Sequence, residues 1–170
     1  MSEGPATGSQ ARFPARLTRF GRVDSTQRIV REWLAAGAPE VAVAVADEQL
    51  AGRGRRGRAW QAPPGAASLL TVGFRPAGLP LAAAWRLAAI VSLAMVEAAE
   101  AQGLADGTIG LKWPNDLVAD LPGDGSDALP RKLAGVLGEV EAAGDGSVAT
   151  CLVGIGVNVD WAAADFPPDL

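Results

Sequence analysis

The densest cluster of chemistry-bearing side chains is Gly52-Arg53-Gly54-Arg55-Arg56-Gly57-Arg58-Ala59-Trp60. Its guanidinium groups repel one another and its glycines leave the backbone loose, so fixing each residue costs ~1–2 kcal/mol of backbone entropy. An anion that neutralises the arginines offsets that cost, and glycine amides can approach it closely. A phosphate-bearing ligand is the matching partner. The cluster is not a P-loop, because GxxxxGK[ST] is absent, and no helix follows it as GxGxxG would require. An exposed arginine tract and a nucleic-acid patch stay open as alternatives. The second is weakened by the net charge of −4 and by Trp60 being the sole interleaved aromatic.

Three further segments carry candidate groups. In Leu111-Lys112-Trp113-Pro114-Asn115-Asp116-Leu117, Pro114 holds Trp113 extended, and a cation, an amide and a carboxylate follow within a few residues. That set suits a nucleotide phosphate and its Mg²⁺, which takes one or two carboxylates plus phosphate oxygens; a plain Pro-Asn-Asp turn is the alternative. In Arg131-Lys132-Leu133-Ala134-Gly135-Val136-Leu137, strand alternation groups Lys132 with Ala134 and Val136, giving the ammonium an unobstructed path to a ligand. A snorkelling strand-end lysine fits equally. In Val153-Gly154-Ile155-Gly156-Val157-Asn158-Val159, alternation makes Val153, Ile155, Val157 and Val159 a core face. Gly154, Gly156 and Asn158 form a bare floor on which a flat ligand can lie, or a site of tight packing.

Composition narrows the chemistry. With no histidine there is no Ser-His-Asp triad, Cys-His pair or His-ligated zinc, and a single cysteine, Cys151, allows no intrachain disulfide or CxxC motif. A reduced, cytoplasmic setting fits. No signal-peptide pattern opens the chain, and its apolar stretches are broken by charges short of the ~20 residues of a membrane helix, so no membrane partner is expected. Lysine occurs only as Lys112 and Lys132 among fifteen basic residues. Residues 1–58 hold ten arginines against six acids, and residues 59–170 five bases against thirteen acids, which suits an anionic ligand near the basic part or simply solvated charge.

These groups need a frame. At 170 residues the chain makes one packed domain. Residues 1–12 read as a disordered leader, and 17–23 as a short strand. Asp24, Ser25 and Thr26 offer capping side chains to a helix over 26–36, closed by Gly37. A buried strand over 41–46 sets valines on one face and alanines on the other. After the arginine loop come a strand over 68–74 and a long alanine-rich helix over 81–102, opened by Pro80 and stopped by Gly103. The helix is apolar nearly all round, which predicts that most of its circumference is covered. Strands over 109–113, 117–118, 132–140 and 148–159 follow, with an exposed hairpin loop over 119–130. The order predicts an α/β (α+β) fold with a mixed, largely antiparallel sheet flanked by helices.

GRGRRGRAW, LKWPNDL, RKLAGVLGEV and VGIGVNV, in this order, resemble the catalytic domain of biotin–protein ligases, from about Ser25 to Asn158. The resemblance implies a fold related to class II aminoacyl-tRNA synthetases and lipoate ligases. It implies that biotin carboxylate attacks the ATP α-phosphate to give biotinyl-5′-AMP, which then acylates a lysine of a biotin carboxyl carrier protein of acetyl-CoA carboxylase or a related carboxylase. By the same resemblance Ser25, Thr26, Gln49, Gly52, Arg53, Arg55, Lys132, Gly154 and Gly156 contact biotin. Arg55, Arg58, Trp60, Lys112, Asn115, Asp116 and Asn158 contact ATP, Asn115 and Asp116 hold Mg²⁺, and Lys132, Arg55 and Asp116 are catalytic. ATP and Mg²⁺ then act as co-substrate and metal, with no tightly bound prosthetic group.

Three departures stand out. The family's Ser-Thr-Asn reads Ser25-Thr26-Gln27, the 119–130 loop is long and acidic, and the sequence ends where the family continues into a small C-terminal β-barrel. Residues 13–170 are thus expected to form a catalytic domain without that barrel and without the DNA-binding domain of repressor-type members, so no DNA partner is expected. A member that binds biotin or nucleotide without completing transfer, and a lipoate ligase, are the alternatives.

Overall fold

The computed structural model describes residues 16–103, 107–119 and 130–165. The 1–12 leader and nearly all of the 119–130 loop therefore lie outside the described residues. Seven strands form one sheet in the order β1-β2-β3-β7-β6-β5-β4. They are β1 Arg16–Val23, β2 Ala42–Gln49, β3 Ala67–Phe74, β4 Ile109–Lys112, β5 Asp116–Ala119, β6 Arg131–Ala142 and β7 Val148–Asn158. Helices α1 (Thr26–Ala35) and α2 (Trp85–Glu100) complete the frame. Only β1 and β2 run parallel, joined through α1; every other neighbouring pair is antiparallel. The mixed, largely antiparallel sheet flanked by helices is the fold expected from the order of elements.

Period-two alternation decides which helix each side chain meets. On one face Ala42 and Ala44 of β2 and Leu152 of β7 pack against Val30 and Leu34 of α1. Alanines suffice there because the helix approaches closely: a Cβ on Gly73 would run into Val30 and lie 3.1 Å from Leu34 Cδ1. The opposite face carries Val136, Cys151, Val153 and Ile155, packed against Leu87 and Val91 of α2. Burial in that core pushes the Cys151 thiol up from an ordinary 9.0 to about 11. Val153 and Ile155 are core as expected, but Val159 is 68% exposed, since β7 ends at Asn158.

Two expectations about the helices are corrected. Ser25 occupies the N-cap of α1 without a side-chain cap bond. Asp24 instead pairs with Arg28 one turn on, at 2.6 Å, and the Thr26 hydroxyl turns toward the sheet. The second helix begins as a 3₁₀ turn over Leu81–Ala83 and becomes α-helical only from Trp85. It is not covered all round: Trp85, Ile90 and Leu93 are each more than half exposed. A helix lying on one sheet face buries a single stripe, and among the described residues no second layer closes over the other side. By length and composition alone Leu81–Glu100 would reach across a membrane, at 20 residues and a mean hydropathy of 1.6. The stripe it buries on the sheet accounts for only part of that apolar surface.

Candidate active site

The site lies on the α1 face of the sheet, just beyond the N-terminus of that helix. Cross-strand register builds its floor in rows. Thr71, Gly154 and Leu137 stand side by side on β3, β7 and β6; Leu69, Gly156, Gly135 and Asp116 form the next row across to β5. Over this floor opens a cavity of about 570 Å³, lined among others by Ser25, Thr26, Gln49, Arg53, Arg55, Arg58, Trp60, Asn115, Asp116 and Lys132. The arginine loop is its roof. A bridge between Arg53 and Ala59 closes the loop on itself, and Arg56 at its tip takes a left-handed conformation with φ 57°. Gly52 is required at the hinge, where a Cβ would run into the Trp60 carbonyl that lies beside it.

One end of the cavity is a buried polar chain. The Gln49 side-chain oxygen accepts from the Thr26 backbone N–H at 2.7 Å and from the Thr26 hydroxyl at 2.9 Å. Because the Thr26 proton is committed to Gln49, the Thr26 oxygen accepts from the Thr71 hydroxyl, 2.8 Å away. Lone pairs on Thr71 and the Gln49 NH₂ group thus remain to face a ligand: one acceptor and one donor, as an amide or urea requires. Thr71 was missed in the sequence because a single threonine within an apolar strand carries no pattern of its own. Gln27, which stands where the family has asparagine, donates its amide N–H to the Leu137 carbonyl at 3.0 Å.

The other end is cationic. Lys132 Nζ pairs with Asp116 Oδ1 at 2.8 Å and lies 5.6 Å from the centre of the Trp60 ring. Arg55 donates to the Asn115 side-chain oxygen at 3.0 Å, while the Asn115 NH₂ donates to the Val136 carbonyl at 3.1 Å. Arg53 turns toward Glu139 on β6, at 2.8 Å. Arg56 and Arg58 make no ion pair among the described residues, so the loop carries unneutralised positive charge over the cavity.

Lys132 reaches this end by a route the alternation did not foresee. Regular alternation would place it with Ala134 and Val136, which are both in the α2-side core. Between β5 and β6 the register slips: Leu117 pairs with Ala134 but Val118 pairs with Lys132, leaving Leu133 as an extra residue. The bulge turns the ammonium to the Gly135 face, where Nζ would lie 3.4 Å from a Cβ on Gly135.

The glycine floor is also not bare. Trp60 lies flat on it: a Cβ on Gly156 would stand 2.6 Å from the indole Nε1, and one on Gly135 2.8 Å from Cζ3. Gln27 covers Gly154 in the same way, at 3.0 Å. The glycines therefore admit this chain's own side chains. The Trp60 Nε1–H is buried there without an acceptor, a donor suited to an incoming ligand oxygen.

Lys112 and Asn158 stand outside the cavity lining; the Asn158 NH₂ makes a 3.4 Å contact to the Lys132 carbonyl at the strand ends. For magnesium, Asp116 is the single carboxylate among the described residues that line the cavity, which fits an ion that arrives on phosphate oxygens. Both members of the expected pair already have a cationic partner, the Asn115 oxygen accepting from Arg55 and Asp116 Oδ1 pairing with Lys132. No group of three or more acidic, cysteine or histidine side chains that could hold a metal exists among the described residues.

The chain is similar to known proteins along nearly all of its length. It is 32% identical over 174 residues to the "Bifunctional ligase/repressor BirA" of Bacillus spizizenii, covering 98% of this chain and 50% of that protein. It is 42% identical over 143 residues to the "Biotin--[acetyl-CoA-carboxylase] ligase" of Paracoccus denitrificans, covering 82% of this chain and 53% of that one. The structure superposes on the biotin protein ligase of Aquifex aeolicus in complex with biotin and ATP. The TM-score is 0.66 at 29% identity, over 91% of this chain and 56% of that one. The chain spans about half the length of the curated relatives it matches. The profile of the biotin/lipoate A/B protein ligase family matches residues 20–158, from β1 through all four motifs to the end of β7. The chain belongs to the biotin/lipoate A/B protein ligase family.

Proposed function

We propose that this chain activates biotin with ATP, forming biotinyl-5′-AMP and releasing pyrophosphate, and passes the biotinyl group to a lysine of a biotin carboxyl carrier protein. The observation that carries the reading is the pairing of two unlike ends in one cavity. The Thr71–Thr26–Gln49 chain offers a donor and an acceptor to a ureido ring, and Lys132, Arg55 and Arg58 surround the opposite end. Adenylation needs no histidine, since the nucleophile is already a carboxylate and the leaving group a magnesium-bound pyrophosphate. What the protein must supply is positioning and fixed positive charge at the α-phosphate. Lys132, held by Asp116 and released from it when phosphate enters, provides that charge, and Arg55 adds to it from the loop. Roofing the cavity with the loop keeps water from the mixed anhydride. A cytoplasmic setting belongs to the same reading, supported by Cys151 standing as a buried free thiol.

Biotin-dependent exchange of label between pyrophosphate and ATP tests the first half-reaction, and labelling of a carrier domain the second. Lys132→Met should cut exchange about 10²–10³-fold, the loss expected for one transition-state charge contact, while biotin binding weakens only a few-fold. Equal exchange by variant and parent would refute the role of Lys132. Binding of biotin without exchange by the parent chain would leave a binding module, exchange without transfer would limit it to activation, and faster exchange with lipoate than with biotin would reassign the substrate.

A further inference from the structure

The side chain of Gln27 is anchored by one end only. It stands in the first turn of α1, is 5% exposed, and lines the cavity beside Ser25 and Thr26. Its NH₂ group donates to the Leu137 carbonyl on β6 at 3.0 Å, which sets the end of the amide that faces the strand. Gly154 makes the crossing possible, since a Cβ there would stand 3.0 Å from Nε2 and 3.1 Å from Cδ. The opposite atom, Oε1, accepts no hydrogen bond among the described residues, yet it is not one of the polar atoms sealed from solvent. For a side chain placed so deeply, the space that reaches Oε1 is the cavity.

A urea ring presents two N–H donors and a carbonyl with two lone pairs. The Thr71–Thr26–Gln49 chain meets half of that set, with the Thr71 oxygen for one N–H and the Gln49 NH₂ for the carbonyl. Ser25, buried and without a side-chain cap bond, brings a hydroxyl that can donate to the second lone pair. One N–H is then left over, and an unpaired donor is costly in a buried pocket. We propose that Gln27 Oε1 accepts from this second ureido N–H, which makes Gln27 a specificity-determining residue for the substrate ring. The assignment rests on the biotin reading. It falls on the residue in which this chain departs from Ser-Thr-Asn: an asparagine is one methylene shorter, and the added length carries the amide across Gly154 to a carbonyl of β6. A Gln27 that served only to tie α1 to β6 would use the same bond and be indifferent to the ring atoms of the ligand.

Titration calorimetry of the full chain with three ligands separates the two roles. The ligands are biotin and its two analogues in which one or the other ring N–H is replaced by oxygen. The parent should bind each analogue at least tenfold more weakly than biotin, since each sets an oxygen lone pair against an acceptor. Gln27→Met keeps the length of the side chain and removes both polar ends. It should weaken biotin binding about tenfold, the loss of one buried hydrogen bond. It should bind one analogue no more weakly than the parent does, and lose about tenfold on the other, as on biotin. The analogue spared is the one that lacks the N–H facing Gln27. Gln27→Asn, milder for folding, should show the same split at reduced size, and decides the matter if the methionine variant does not fold. Equal losses on all three ligands, or no loss on biotin, would overturn the assignment and leave Gln27 a structural tie. A parent that does not bind biotin at all would refute the biotin reading, and the assignment with it.

Discussion

Replacing Gly156 by alanine tests whether the indole of Trp60 rests on the sheet. The new Cβ would stand 2.6 Å from Nε1 and 2.7 Å from Cζ2. Ordinary contact begins near 3.4 Å, so the ring must retreat by most of an ångström. It has little room: the Trp60 backbone is tied to the Gly52 carbonyl at 2.9 Å, and the ring also covers Gly135. Overpacking of this kind costs about 1–3 kcal/mol. Alanine recovers roughly 0.5–1 kcal/mol of backbone entropy over glycine in a strand, which leaves a net loss of about 1.3 kcal/mol at the middle of both ranges. For a chain of this size that lowers Tm by roughly 2–5 °C. Gly110→Ala is the control, because its Cβ would meet only Val118 Cγ2, at an easy 3.7 Å. Calorimetry should show Gly156→Ala melting below the parent and Gly110→Ala at or above it. Biotin titration should show weaker binding for Gly156→Ala alone, since the displaced ring takes the loop with it. A Gly156→Ala protein that melts and binds like its parent would refute the stacked arrangement.

Thr71→Val keeps the shape of the side chain but removes the hydroxyl that donates to Thr26, so stability should fall by about 1 kcal/mol and biotin affinity by about tenfold; a variant more stable than the parent in urea would disprove the proton order assigned to the Thr71–Thr26–Gln49 chain. Cys151, fully buried in the α2-side core with its thiol raised to about 11, should resist iodoacetamide at pH 8 in the folded protein and react fully in denaturant. The same shift makes stability depend on alkaline pH. Above the ordinary 9.0 the unfolded chain loses the thiol proton that the folded chain keeps, so stability falls between pH 9 and 11, by up to about 3 kcal/mol. Cys151→Ala should flatten that decline, and an equal decline in both proteins would contradict the assignment.

Much of this architecture was legible from periodicity. The 26–36 helix, the alanine and valine faces of β2, the long helix and the strand-rich second half all follow from apolar spacing and punctuation by glycine and proline. Many of the residues that line the cavity sit in four short motifs visible in the sequence, while Ser25, Thr26, Gln49 and Thr71 lie outside them. What escaped were features fixed by partners distant in the chain. The cap of α1 gave way because the Thr26 hydroxyl found Gln49 and Thr71 on β2 and β3. The covering of α2 was overestimated because hydrophobicity shows that a helix can be buried, not that a layer exists to bury it. Gln27 stood out only as a departure at the helix start and Glu139 only as a letter of its motif, since nothing local announces a contact 110 or 86 residues away.

The slip at Leu133 has a consequence for anyone who borrows this segment. Lys132 and Gly135 are an odd number of positions apart, so on an unbroken ladder they would point in opposite directions, the ammonium into hydrocarbon. Grafting RKLAG onto a regular hairpin would preserve the letters and invert their geometry, whereas deleting Leu133 would leave the lysine and Gly135 two positions apart and on one face. What must be transplanted is the irregularity, together with the neighbouring strand whose pairing at Leu117 and Val118 absorbs the surplus residue.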